Sequence, residues 1–94
     1  MKLIWLPAAR RERQHQIAYI GEENPDAAIE IGTAIFRAVE NLLDFPQMGR
    51  LGRVKGTREL IVSGTPFLVV YRVQPDAIFI LRLLHGAQRW PDRC

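Results

Sequence analysis

The spacing of apolar positions changes along the chain, and each change marks an element. Residues 2–6 alternate weakly and carry Ile4 and Trp5, which suit a pleated surface, so they predict a short strand. Pro7 fits a first helical turn, where its missing N–H costs nothing. A helix is expected over 7–20, with a thin apolar stripe of Ala9, Ile17 and Ile20 that also includes Arg13 and Gln16. Gly21 is its expected stop. Asn24-Pro25 is a helix start, a capping residue followed by proline. The second helix is expected to about residue 44, where Pro46 ends it. Its buried face reads Ala28, Ile31, Ile35, Val39 and Leu42, flanked by Ala27, Ala34, Ala38 and Leu43. A connection of three or four residues makes the pair an antiparallel hairpin.

Residues 47–56 read as a loop rich in glycine and cations. Three strands follow, at about 58–63, 67–73 and 78–85, with Gly64-Thr65-Pro66 and Gln74-Pro75-Asp76-Ala77 between them. Short turns between consecutive strands make an antiparallel meander. The expectation is a β-α-α-β-β-β chain of the α+β class. A helical hairpin packs on one face of a small, mostly antiparallel sheet, and residues 1–94 form a single domain. If Val73 lies opposite Ile78, one sheet face holds Phe67, Val69, Tyr71, Val73, Ile78, Ile80, Arg82 and Leu84. The other holds Leu68, Val70, Arg72, Phe79, Leu81, Leu83 and His85. Both faces are apolar, yet two helices cover only one. The excess implies a partner, a dimer, or a curled sheet whose second face is closed by residues 86–94.

Composition narrows the class. At 48% hydrophobic and 24% charged the chain has ordinary globular usage, which argues against disorder. No apolar run approaches the roughly 20 residues a membrane helix needs, and the start is too short for a signal peptide. Cys94 is the sole cysteine, and with His15 and His85 it is too sparse for a zinc site. A reducing cytoplasm is expected, with no metal, cofactor or membrane. Charge is uneven: residues 1–49 sum to −2 and residues 50–94 to +5. The basic half should meet an anion, either nucleic acid or an acidic protein segment. The alternative is a solvated basic surface.

Several residues stand out as candidates. Arg50, Arg53, Lys55 and Arg58 cluster among glycines, where forked donors suit phosphate or carboxylate. Arg72 and Arg82 interrupt apolar strands, where a charge needs a partner or an edge. They are read as an anion site, or as ion pairs with Glu59 or the terminal carboxylate. His85, with Glu59, Tyr71 and the arginines, has the acid, base and cation types a metal-free ribonuclease needs. A lone strand-end histidine is more often structural. Trp90, beside Arg89, either anchors an interface or caps the core.

Several segments together resemble a known family. They are Trp5-x-Pro7-x-Ala9, Ile17-Ala18-Tyr19-Ile20, Asn24-Pro25-x-Ala27-Ala28, Pro46-x-Met48-Gly49-Arg50, Gly56-Thr57-Arg58-Glu59-Leu60, Val69-Val70-Tyr71-Arg72-Val73 and Ile80-Leu81-Arg82-Leu83-Leu84-His85-Gly86. In this order the chain is similar to the RelE/ParE toxins of bacterial type II toxin–antitoxin systems, over nearly its whole length. The resemblance implies the same β-α-α-β-β-β fold. It also implies a basic toxin held inactive by an acidic cognate antitoxin, with promoter DNA bound through that antitoxin. Two activities occur in the superfamily: RelE-like members cut mRNA in the ribosomal A site, and ParE-like members poison DNA gyrase without being known nucleases. Gly56-Thr57-Arg58-Glu59-Leu60 and Leu84-His85-Gly86 look closer to the ParE branch. That leaning implies a non-catalytic inhibitor using Arg50, Arg53, Lys55, Arg58, Arg89 and Trp90. The alternative is a metal-independent endoribonuclease using His85, Glu59, Tyr71, Arg72 and Arg82.

Overall fold

A computed structural model describes residues 1–86 together with Trp90 and Pro91. The elements are β1 (Lys2–Trp5), α1 (Pro7–Glu23), α2 (Pro25–Asn41), β2 (Arg50–Leu51), β3 (Arg58–Ile61), β4 (Phe67–Val73) and β5 (Ala77–His85). The strands form one sheet in the order β1-β5-β4-β3-β2. Only the β1–β5 pair is parallel; the other pairs are antiparallel. This is the expected α+β arrangement, with one addition. The two-residue β2 lies inside the segment expected to be a loop, because Arg50 and Leu51 pair with Glu59 and Arg58.

The helical hairpin is tighter than the sequence suggests. Gly21 does not stop α1, which runs on to Glu23. A Cβ at Gly21 would lie 3.5 Å from the Cβ of Ala28, so the small pair lets the two backbones approach. A single residue, Asn24, joins the helices. Its N–H donates to the Ile20 carbonyl and its side chain accepts from the Ala27 N–H, so it closes one helix and opens the next. At the far end α2 stops at Asn41, before the expected 44. The N–H groups of Leu42 and Leu43 turn to carbonyls three residues back, tightening the exit.

The predicted α2 face holds. Ile35, Val39 and Leu42 are buried, and Ile31 packs partly buried against them. They meet Phe67, Val69, Tyr71, Ile78, Ile80 and Leu83 from the sheet. The thin stripe of α1 is completed by a cation: the Arg13 guanidinium lies 4.4 Å from the Trp5 ring centre.

The expected sheet faces need one correction. The register Val73–Ile78 holds, but it slips between Val70 and Tyr71, which pair with Arg82 and Ile80. Leu81 is therefore an extra, bulged residue, and every β5 side chain after it changes side. Leu83 and His85 join the helix-covered face, opposite Val69 and Phe67, while Arg82 and Leu84 leave it, opposite Val70 and Leu68.

Gly21→Ala should stabilise the protein. Alanine is better than glycine inside a helix by about 0.5–1 kcal/mol, and the methyl meets Ala28 at ordinary contact distance. A thermal melt should rise by about 2–8 °C. A lower midpoint would mean that the hairpin is already too close for a methyl.

Candidate functional site

The face turned away from the helices carries a row of side chains running across four strands. Arg50 lies opposite Glu59, Glu59 opposite Val70, and Val70 opposite Arg82. Arg72 sits two residues beyond Val70 on the same face, opposite Phe79, which in turn pairs with Ile4. Trp90 comes onto this face. The Arg82 guanidinium carbon is 5.7 Å from its ring centre, and the Arg53 guanidinium donates to its carbonyl at 3.0 Å. On this face Glu59, Val70 and Leu84 are buried. The second face is thus partly closed at Trp90, while Ile61 and Ile4 remain exposed. Arg89 and Cys94 lie outside the described residues.

The basic segment between α2 and β3 is held by three side chains whose partners are backbone or cations. Glu59 is 2% exposed. It accepts from Arg50 Nη2 and from the Arg53 N–H, both at 3.0 Å, so its buried charge is met by a cation and an amide. Tyr71 accepts from the Gly49 N–H at 2.9 Å and donates to the Pro46 carbonyl at 2.8 Å. Burial pushes the Tyr71 phenol above its usual value of 10.0, against opposing contributions from the Gly49 N–H and the Arg58 charge. Arg58 donates to the Gly49 carbonyl at 2.7 Å and to the Gln47 carbonyl at 3.3 Å. Gly49 has no room for a side chain: a Cβ there would sit 2.7 Å from the Tyr71 hydroxyl. The result is a rigid ledge presenting Arg50, Arg53 and Lys55, all exposed.

Arg82 is held by a residue that the sequence did not single out. Glu12 of α1 takes Arg82 Nε at 3.1 and 2.9 Å, takes Nη2 at 2.6 Å, and accepts the Leu83 N–H at 3.0 Å. β1 ends opposite Ile80, so Glu12 caps the stretch of β5 edge that β1 leaves bare. No local pattern marks Glu12, whose partners are some 70 residues away in the chain. The proposed Glu59 partner for Arg72 or Arg82 is not realised, because Glu59 serves Arg50 and the Arg53 amide.

The residues of the ribonuclease reading do not converge. Glu59, Arg72 and Arg82 are on the outer face; Tyr71 and His85 are on the helix-covered face. His85 lies at the far end of β5, edge-on to Phe67 with ring centres 5.6 Å apart. Among the described residues, no group of three or more His, Cys, Asp or Glu is placed to hold a metal ion. No helix there is long and apolar enough to cross a membrane.

Comparison with known proteins gives a consistent picture. Residues 3–90 match the family described as "ParE toxin of type II toxin-antitoxin system, parDE". The chain is 38% identical over 91 residues to protein Y4kP of Sinorhizobium fredii, covering 97% of this chain and 94% of that one. It is 33% identical over 70 residues to toxin RelE2 of Caulobacter vibrioides, covering 74% and 77%. A solved structure of the chromosomal ParDE TA system from P. aeruginosa superposes with a TM-score of 0.80 at 26% identity, covering 90% of this chain and 95% of that one.

Tyr71→Phe should loosen the ledge. It leaves the buried Gly49 N–H without its acceptor, which should cost about 1–3 kcal/mol in denaturant unfolding. The same variant tests a pH dependence. The folded state holds the Tyr71 proton more tightly than the unfolded chain does, so the stability tied to it is present below pH 10 and declines as pH rises beyond that. That alkaline decline should shrink in Tyr71→Phe; an unchanged decline would assign it to other groups.

Proposed function

The chain belongs to the ParE toxin family of type II toxin–antitoxin systems, and from that premise we propose that it arrests growth by binding DNA gyrase and trapping its cleaved-DNA state. The surface proposed for this is the ledge of Arg50, Arg53, Lys55 and Arg58, together with Arg89 and Trp90. The observation that carries the reading is the dispersal of the acid–base candidates. A nuclease needs its general acid, base and cations around one phosphate. Here Tyr71 is spent on Gly49 and Pro46, Glu59 on Arg50 and Arg53, and Arg82 on Glu12. A binding toxin has no need of a convergent cleft. It needs a stiff surface with charges held out, because ordering that surface beforehand lowers the entropic cost of association.

A toxin of this class implies a cognate antitoxin. We infer that its acidic segment covers the basic and apolar outer face and that promoter DNA is reached through the antitoxin alone. A second reading is ribosome-dependent mRNA cleavage by His85 with Glu59, Tyr71, Arg72 and Arg82. Its support is the likeness to the Caulobacter RelE toxins and the exposure of His85 at the sheet end.

Purified chain, gyrase, ATP and supercoiled plasmid should yield linear DNA after protease treatment. Charge reversal of Lys55 and Arg53 together should lower the yield about tenfold or more, and His85→Ala should leave it unchanged. The gyrase reading fails if no linear DNA forms while the chain arrests growth and His85→Ala abolishes that arrest.

A further inference from the structure

The outer side of α2 carries a line of side chains that the core does not use. Ile29 and Phe36 are 68% and 57% exposed. Seven residues is close to two full turns, so the pair shares one line of the helix, about 10 Å apart. The buried residues Ala28, Ile35 and Val39 lie on the inner side. Between them α1 and α2 leave a shallow depression of about 390 Å³, lined by Ile17, Ala28, Ile29, Gly32, Thr33 and Phe36. Gly32 stands in the middle of α2, where glycine is a much poorer helix former than alanine. Packing within the chain does not require it: a Cβ there would lie 3.6 Å from Ile17 Cδ1, an ordinary contact. A mid-helix glycine with no internal packing reason points to something packed from outside. Among the described residues, the chain's own cover, Trp90, lies on the other face of the sheet, against Arg82.

We propose that the outer face of α2 docks a second copy of this chain, paired antiparallel about Thr33. The pattern is its own complement. The midpoint of Ile29 and Phe36 falls between Gly32 and Thr33. Glu30 and Arg37 repeat the same spacing one position on, and their midpoint falls between Thr33 and Ala34. The ion pairs among the described residues are Arg50–Glu59 and Arg82–Glu12, which leaves Glu30 and Arg37 unpaired. A two-fold axis at Thr33 sets Ile29 beside Phe36 of the second copy and Glu30 beside its Arg37, and symmetry repeats both contacts. Gly32 and Thr33 lie at the crossing, where their small side chains let the helices approach. Each Phe36 ring then enters the other copy's depression. Apolar and charged positions that mirror about one residue match themselves, which favours a copy over an unrelated partner. Area sets the strength. Two 17-residue helices offer an outer face of about 25 by 20 Å, or about 500 Å². A stable interface buries about 800 Å² per partner, so this pairing depends on concentration. It uses none of the residues of the gyrase reading and stands or falls without it.

The test is sedimentation equilibrium of the full chain from about 1 μM to about 1 mM, under reducing conditions so that Cys94 cannot link two copies. The mass should climb with concentration from 10.8 kDa toward twice that. Phe36→Ser should raise the dissociation constant about tenfold or more. Glu30→Arg and Arg37→Glu should each weaken pairing several-fold, since each sets like charges face to face. An equimolar mixture of those two variants should pair more tightly than either alone, because every contact is again between opposite charges. Thermal melts confirm that all three variants are folded. A mass fixed at 10.8 kDa across the range would overturn the proposal. So would pairing that survives Phe36→Ser, or that is lost instead in Ile61→Ser, at the exposed end of β3. A mixture no tighter than its components would rule out the antiparallel two-fold.

Discussion

The bulge at Leu81 decides which side of the sheet the last residues of β5 face. Strict alternation from Ile78 would aim Arg82 into the space between sheet and helices, where an unpaired guanidinium is costly. The extra residue turns Arg82 outward and brings Leu83 into the core opposite Val69. Glu12 then secures the new arrangement, holding Arg82 and the Leu83 N–H with one carboxylate. The position of Trp90 follows, since its ring packs against the Arg82 that the bulge has turned out.

The same economy runs through the basic ledge. Residues whose types suggest catalysis are used as braces. Tyr71 ties Gly49 and Pro46 to β4, Glu59 ties Arg50 and the Arg53 amide to β3, and Arg58 ties two carbonyls. Bracing leaves the cations at the rim with little freedom to lose on binding. Fixed positive charge also speeds encounter with an acidic partner. Under the proposed binding function, both properties serve the capture of a target directly.

The outer face combines apolar and basic character, which is unusual for an exposed surface and fits a partner that is acidic and amphipathic. Part of it is closed by the chain itself at Trp90, in line with the alternative that residues 86–94 cover the second face. What stays open is the margin, where Ile4 and Ile61 are exposed.

Much of the fold was legible in the sequence because its determinants are local. The 3.6-residue period of α2, the Asn24 cap with Pro25, and the turns around Gly64 and Pro75 each act within a few residues. The basic character of the second half was legible for the same reason, and the resemblance to the toxin family was legible as well. The tertiary structure alone decided the rest. Gly21 reads as a stop until Ala28 is seen packed against it. A bulge inserts one residue without changing composition, so the faces of Arg82, Leu83, Leu84 and His85 could not be read by alternation. The duties of Glu12, Glu59 and Tyr71 depend on partners brought together only by folding. Periodicity reports which face of an element is buried; it carries no information on which distant polar group that element will meet.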